Sequence, residues 1–240
     1  MTPLPRNCIL NTVAAILVTG GAGGLGTAIA ARLRDEGRTV VALDCVAVPG
    51  PAESHVVDVA DEPALAAVVA DVAARHGGII GLVCASGAVK ESPVTAMSLA
   101  DWRSVVDASL TGTFLAAKAA LPAMIAARGG SIVAFSSGYA RNGYRNGANY
   151  AAAKAGVEAL IKSIALENAA FGIRANSIAP GPIDTPMLAR ERAAVVAPLI
   201  PMQRVGRPDD VVGLVRFLLG DESTYITGQT IHVNGGFTMP

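Results

Sequence analysis

The stretch that most restricts the fold is Thr-Gly-Gly-Ala-Gly-Gly-Leu-Gly at positions 19–26. An apolar run at 13–19 leads into it, and a segment with helical spacing of apolar residues, 25–36, leads out of it. Glycine permits the tight turn between strand and helix and lets backbone approach a pyrophosphate closely. The helix that follows offers unpaired N–H groups and the positive end of its dipole. Glycines also make plain turns. This cluster sits between a strand and a helix near the N-terminus, and that context points to a nucleotide site in which Gly20, Gly24, Leu25 and Gly26 form the phosphate loop.

The rest of the chain repeats that alternation. Strands are expected at 39–44, 54–58, 79–84, 131–136, 173–179 and 230–233. Helices are expected at 62–76, 101–128 (bent near Gly112), 150–171 and 209–219. Short connections between alternating strands and helices predict an α/β fold, a doubly wound parallel sheet of Rossmann-like type. No repeat, low-complexity tract or linker divides it, so 1–240 reads as a single domain. The proline-marked stretch 182–208 is the least regular and reads as a flexible flap over a pocket.

Asp44 ends the second expected strand, 18 residues after Gly26. A carboxylate there accepts both hydroxyls of an adenosine ribose and repels a 2′-phosphate, which favours NAD over NADP. Composition narrows the partners. Lys+Arg and Asp+Glu are both 19, so no basic excess points to nucleic acid or an anionic membrane. No uninterrupted run reaches the ~18 apolar residues of a membrane span. The apolar run after Arg6 passes straight into the glycine loop, as a buried first strand does, and is not read as a signal peptide. Cys8, Cys45 and Cys84 are far apart, as are His55, His76 and His232. Neither set suggests a metal site or a disulfide framework, and a cytoplasmic location is expected.

Tyr150 and Lys154 stand four residues apart at the start of a helix, on one face. A tyrosine with its ordinary pKa near ~10 is a poor acid–base group at neutral pH, and a nearby ammonium favours its phenolate. Ser137, 13 residues earlier at the end of a strand, could hydrogen-bond a substrate oxygen.

Together these residues resemble the short-chain dehydrogenase/reductase family over nearly the whole chain. The matching pieces are the loop at 19–26, Asp58-Val59, Ser137, Tyr150-x-x-x-Lys154, Pro180-Gly181 and the C-terminal Tyr-Ile-Thr-Gly-Gln-Thr-Ile-His-Val-Asn-Gly-Gly at 225–236. The resemblance implies that Tyr150 is general acid for a ketone and general base for an alcohol, that Ser137 polarises the substrate oxygen, and that Lys154 binds the nicotinamide ribose. It implies adenine contacts from Asp58 and Val59, a backbone contact from Ala85 on the adenosine side, and a grip on the carboxamide from Ile183 and Thr185. It also implies pairing of the helices at 101–128 and 150–171 between subunits, and a homotetramer.

The chain departs from the family twice. Cys84-Ala85-Ser86-Gly87 stands where the family has Asn-Asn-Ala-Gly, so side chains that brace the sheet are missing. Ser109 stands where the family places the Asn that holds a water in a proton relay, and it brings fewer hydrogen-bonding groups to that task. Arg141 and Arg145, between Ser137 and Tyr150, read either as hands for an anionic substrate or as solvent-facing or intersubunit residues. Val89, Met187 and Leu188 are candidates for a pocket wall. The expected activity is NAD-dependent interconversion of a secondary alcohol and a ketone. The alternatives are a 3-oxoacyl-[acyl-carrier-protein] reductase-like enzyme, against which Asp44 argues, and a nucleotide-binding protein without turnover.

Overall fold

The computed structural model describes residues 14–50, 53–188 and 190–239. Val13, Arg6 and Cys8 therefore lie outside the described residues. Seven strands, β1 (Ala15–Thr19), β2 (Val40–Asp44), β3 (Glu53–Val56), β4 (Ile79–Cys84), β5 (Gly130–Phe135), β6 (Ile173–Pro180) and β7 (Thr230–Val233), form one sheet in the order β3-β2-β1-β4-β5-β6-β7. Every neighbouring pair is parallel. The expected doubly wound, single-domain α/β fold is what the chain adopts.

Parallel strands need crossovers, and here the crossovers are helices that cover both faces. Along β1 the side chains alternate. Leu17 joins a core with Leu82, Ile132, Met124 and Ile161, under α2 (Glu62–Arg75), α4 (Gly112–Ala127) and α6 (Ala148–Asn168). Ile16 and Val18 join the other core with Ile29, Leu33, Val215 and Leu218, under α1 (Gly24–Asp35) and α8 (Pro208–Leu219). Each fully buried Leu or Ile contributes about 1.5–3 kcal/mol. That is why the central strands read as continuous apolar runs, not as alternating ones.

Helix starts follow local chemistry. The Asp61 side chain accepts from Ala64 N at 3.1 Å and starts α2, and the Ser98 hydroxyl accepts from Asp101 N at 3.0 Å and starts α3 (Leu99–Val106). The single long helix expected at 101–128 is in fact α3, a π-helical turn at Asp107–Thr111, and α4. The break falls just before Gly112, whose missing side chain lets the backbone lie against Val59. A Cβ there would sit 2.4 Å from Val59 Cγ2. By length and composition Leu99–Ala127 would be long and apolar enough to cross a bilayer. Part of its apolar surface serves the core, with Leu115, Ala117, Ala120 and Met124 buried against the sheet, while Phe114 stays exposed.

Two short helices were not expected, α5 (Tyr139–Asn142) and α7 (Arg190–Val196). β5 ends one residue earlier than expected, which places Ser136 and Ser137 on the loop beyond the strand. The 182–208 stretch is closed at its base, where Gly206 N donates to Pro182 O at 2.9 Å and Asp184 N donates to Gly206 O at 2.8 Å.

Candidate active site

The strands all end at one edge of the sheet, and the loops after β1, β4, β5 and β6 enclose a cleft of about 230 Å³. This is the edge where parallel α/β sheets bind ligands. Leu25, Ala85, Ser137, Tyr150, Lys154, Ile183 and Thr185 all border the cleft, as do Val89, Met187 and Leu188. Asp44, Asp58 and Val59 do not line it; they lie on its far side beyond the glycine loop.

The glycine loop is crowded by backbone. Gly20 has φ +70°, and a Cβ on it would lie 2.6 Å from the Ala85 carbonyl carbon. A Cβ on Gly24 would lie 2.9 Å from Thr185 Cβ. Ala22 N donates to Asp44 Oδ2 at 3.0 Å, so the strand-end carboxylate holds the loop in place while Oδ1 takes two long contacts, from Val46 N at 3.3 Å and from Cys45 Sγ at 3.5 Å. A carboxylate has about four lone-pair positions, so capacity remains for hydroxyl donors. Asp58 is exposed and accepts from Ala60 N at 2.9 Å, and Val59 is buried beside Gly112.

The reactive group is built where β5 ends and α6 begins. Tyr150 stands in the first turn of α6, its backbone N–H held by Asn149 Oδ1 at 2.8 Å. Asn149 in turn donates to the carbonyls of Lys90 and Asp101, tying this turn to the loop after β4 and to α3. Burial pushes the Tyr150 pKa up, and a hydrogen bond with Ser137 opposes the rise. Lys154 lies one turn on, 5.6 Å from the Tyr150 ring centre, and donates to Phe135 O at 2.8 Å. Burial pulls its own pKa down to about 8. Ser137 and Lys154 thus both stand beside the phenol.

Ser109, on the π-helical turn, is fully buried, and its hydroxyl has no hydrogen-bond partner among the described residues. A Cβ on Gly87 would lie 3.3 Å from Ser109 Oγ and 3.4 Å from Lys154 Nζ, so the two polar groups converge on a space that glycine keeps open. Cys84 is buried at the end of β4, and burial pushes its thiol up to about 12, the inert packing expected of it.

The two arginines singled out in the sequence do not border the cleft. Arg141 is exposed and pairs with Glu158 at 3.5 Å, and Arg145 is exposed. The charged pair at the cleft is Glu91 with Arg192, bridged by Tyr144. Sequence reasoning missed Glu91 and Arg192 because they lie 101 residues apart, and neither carries a local signal. Buried Glu158, which accepts from the Ser136 hydroxyl at 2.8 Å behind the site, was missed for the same reason. Among the described residues no group of His, Cys, Asp and Glu is arranged to hold a metal.

Comparison with known proteins agrees with this geometry. A family model described as enoyl-(acyl carrier protein) reductase matches residues 20–238. The chain is 37% identical to a 3-oxoacyl-[acyl-carrier-protein] reductase of Thermotoga maritima over 238 residues, 93% of this chain and 97% of that one. It is 38% identical to the cis-4-hydroxycyclohexanecarboxylate dehydrogenase of Sinomonas cyclohexanicum over 237 residues, 92% and 95% of the two chains. The solved structure of Thermoplasma acidophilum aldohexose dehydrogenase superposes with a TM-score of 0.90 at 32% identity, covering 96% of this chain and 98% of that one. The chain belongs to the short-chain dehydrogenase/reductase family and is an oxidoreductase of that family.

Proposed function

We propose that the protein is an NAD-dependent oxidoreductase that interconverts a secondary alcohol and a ketone, with Tyr150 as general acid and base. The observation that carries this reading is the convergence of Ser137, Tyr150 and Lys154 at the inner end of one cleft bordered by the glycine-loop side of the sheet. The nicotinamide supplies or accepts hydride when bound. Gly20, Gly24, Leu25 and Gly26 would hold its pyrophosphate, Asp44 the adenosine ribose, Asp58, Val59 and Ala85 the adenine side, and Ile183 and Thr185 its carboxamide. The backbone crowding at Gly20, the close approach of Thr185 to Gly24 and the lone-pair capacity left on Asp44 are what fit such a group.

Ser137 donates to the substrate oxygen and orients it toward the Tyr150 hydroxyl. Tyr150 gives its proton to the forming alkoxide in reduction and takes it back in oxidation. Lys154 lies behind the phenol as an ammonium below its pKa of about 8 and favours the phenolate as it forms. The unpartnered Ser109 hydroxyl beside Lys154 supports its role in passing that proton on through a water. Asp44 supports NAD over NADP, because a 2′-phosphate beside a carboxylate meets like charge.

A homotetramer is part of the same proposal. Its support is Phe114 on α4 and Leu166 on α6, which are 45% and 85% exposed on the isolated chain. Light scattering checks it, and a clean monomer refutes it. The unpaired thiols Cys45 and Cys84 are consistent with a reducing, cytoplasmic setting. Similarity to 3-oxoacyl-[acyl-carrier-protein] reductases is the observation that favours a second reading, reduction of an acyl thioester ketone. Fluorescence titration with NADH and NADPH, on wild type and Asp44→Ala, tests the first. NADH should bind more tightly, and the variant should lose the difference. A preference for NADPH promotes the second reading, and binding of neither nucleotide removes both.

A further inference from the structure

The end of the cleft remote from Ser137 and Tyr150 is closed by three residues from separate parts of the chain. Glu91 follows β4, Tyr144 lies between α5 and α6, and Arg192 belongs to α7. Arg192 Nη1 donates to Glu91 Oε1 at 2.5 Å, and Nη2 donates to the Tyr144 hydroxyl at 2.5 Å. The Tyr144 hydroxyl in turn donates to Glu91 Oε1. The guanidinium also lies over the Tyr144 ring, 5.4 Å from its centre. Tyr144 stacks on Tyr139 at 4.2 Å and meets the Tyr150 ring edge-on at 6.2 Å, so a flat aromatic wall runs from the charged pair to the reacting phenol.

Besides this pair, Lys154 is the one charged residue among those described along the cleft, and it sits at the reactive end. The remote end therefore carries one negative and one positive charge in direct contact, and no net charge. A carboxylate brought to Arg192 would be forced close to Glu91, and an ammonium brought to Glu91 would be forced close to Arg192. Each would also break a hydrogen-bonded pair. A hydroxyl faces neither penalty. It can accept from an unused N–H of Arg192 while donating to Glu91, whose Oε2 makes no hydrogen bond to the described protein residues. The rings of Tyr139, Tyr144 and Tyr150 border the cleft between the two ends and give the carbon skeleton an apolar surface.

Resting on the oxidoreductase reading above, we infer that Glu91 and Arg192 are specificity-determining residues, and that they select an uncharged secondary alcohol or ketone carrying a second hydroxyl at its far end. Hydroxy acids and amino alcohols of the same shape are turned away. Among the described residues the pair makes no hydrogen bond to Ser137, Tyr150 or Lys154, so its effect falls mainly on KM and leaves kcat near its wild-type value.

The test is a matched ring series: cyclohexane-1,4-diol, cyclohexanol, 4-hydroxycyclohexanecarboxylate and 4-aminocyclohexanol, each measured with saturating oxidised nucleotide on the intact enzyme. In parallel, each compound's affinity for the enzyme–NADH complex is measured by calorimetry. The wild type should favour the diol over the acid and the amine by roughly fivefold or more in kcat/KM and in affinity. Glu91→Gln should improve the acid by about that factor, and Arg192→Gln should improve the amine while weakening the diol. A wild type that favours the acid, with Arg192→Gln abolishing that preference, overturns the inference and makes Arg192 a carboxylate receptor. A series with no ranking, or one unmoved by either substitution, overturns it as well. If nothing turns over with NAD or NADP while the affinities still rank as expected, the oxidoreductase reading fails and the selection by Glu91 and Arg192 stands.

Discussion

Gly26→Ala isolates what the glycine loop contributes. The added methyl would lie 2.0 Å from Gly20 O, 2.8 Å from its carbonyl carbon and 3.0 Å from Gly21 Cα. No carbon tolerates the first of these, and all three of these neighbours are backbone atoms, so no side chain can swing aside. Gly20 cannot retreat either. It is fixed at φ +70°, its carbonyl accepts from Gly23 N at 3.0 Å, and its own Cα faces the Ala85–Ser86 peptide with no room to spare. Overpacking of this kind costs about 1–3 kcal/mol, partly offset by the gain of up to about 1 kcal/mol that Ala has over Gly in a helix. The expected net loss is about 1–2 kcal/mol, accompanied by at least about a tenfold loss of NADH affinity, because the peptides that face the pyrophosphate are the ones displaced. Urea melts and fluorescence titration read the two effects. The control is Gly213→Ala on α8, where a Cβ meets nothing within 4 Å and the position is exposed. That variant should gain about 0.5–1 kcal/mol and bind NADH as wild type does. A Gly26→Ala protein as stable as wild type, with affinity within about twofold, would refute the crowding argument.

Three further outcomes follow from groups around the site and at the sheet edge. Ser109→Ala removes a buried hydroxyl with no partner, so stability in thermal melts should hold or rise by about 1 kcal/mol while turnover falls; a loss of stability with unchanged turnover would make Ser109 structural. Lys154 has a folded pKa of about 8 against an ordinary 10.5, so the folded chain binds fewer protons than the unfolded one between those values, and the cost of burying its ammonium is full below pH 8 and relieved as pH climbs toward 10.5. Lys154→Met should therefore lose that alkaline rise in Tm along with its activity, and a variant whose pH profile parallels wild type would count against it. At the sheet edge, Arg75 above all, with His76 and His55, holds the Glu53 carboxyl down to about 2. Its stabilisation is present above pH 4.5 and is lost as pH falls toward 2, so Glu53→Gln should cost about 0.5–1 kcal/mol near neutrality, with the deficit closing in acid.

Much of this fold is written locally. The apolar runs of β1, β4 and β6 and the amphipathic α1, α2 and α8 were legible to within a few residues, because burial on both faces of a parallel sheet requires continuous apolar strands. The Tyr150–Lys154 pair was legible because one helical turn fixes its geometry. The π-helical turn was legible only as a bend at Gly112; its form depends on Val59, which arrives from another loop. Burial around Tyr150 and Lys154, the largest influence on both groups, could not be read either. Arg141 and Arg145 drew notice by proximity in sequence, yet among the described residues the arginine that borders the cleft is Arg192.

By itself, then, the sequence determined the sheet, the glycine loop and the Tyr150–Lys154 pair, since each follows from periodicity or from spacing within one turn. Only the tertiary structure decided what lies opposite them. Glu91, Tyr144 and Arg192 meet through the approach of two loops and a short helix, and a contact between residues 48 to 101 positions apart leaves no periodic trace in the chain.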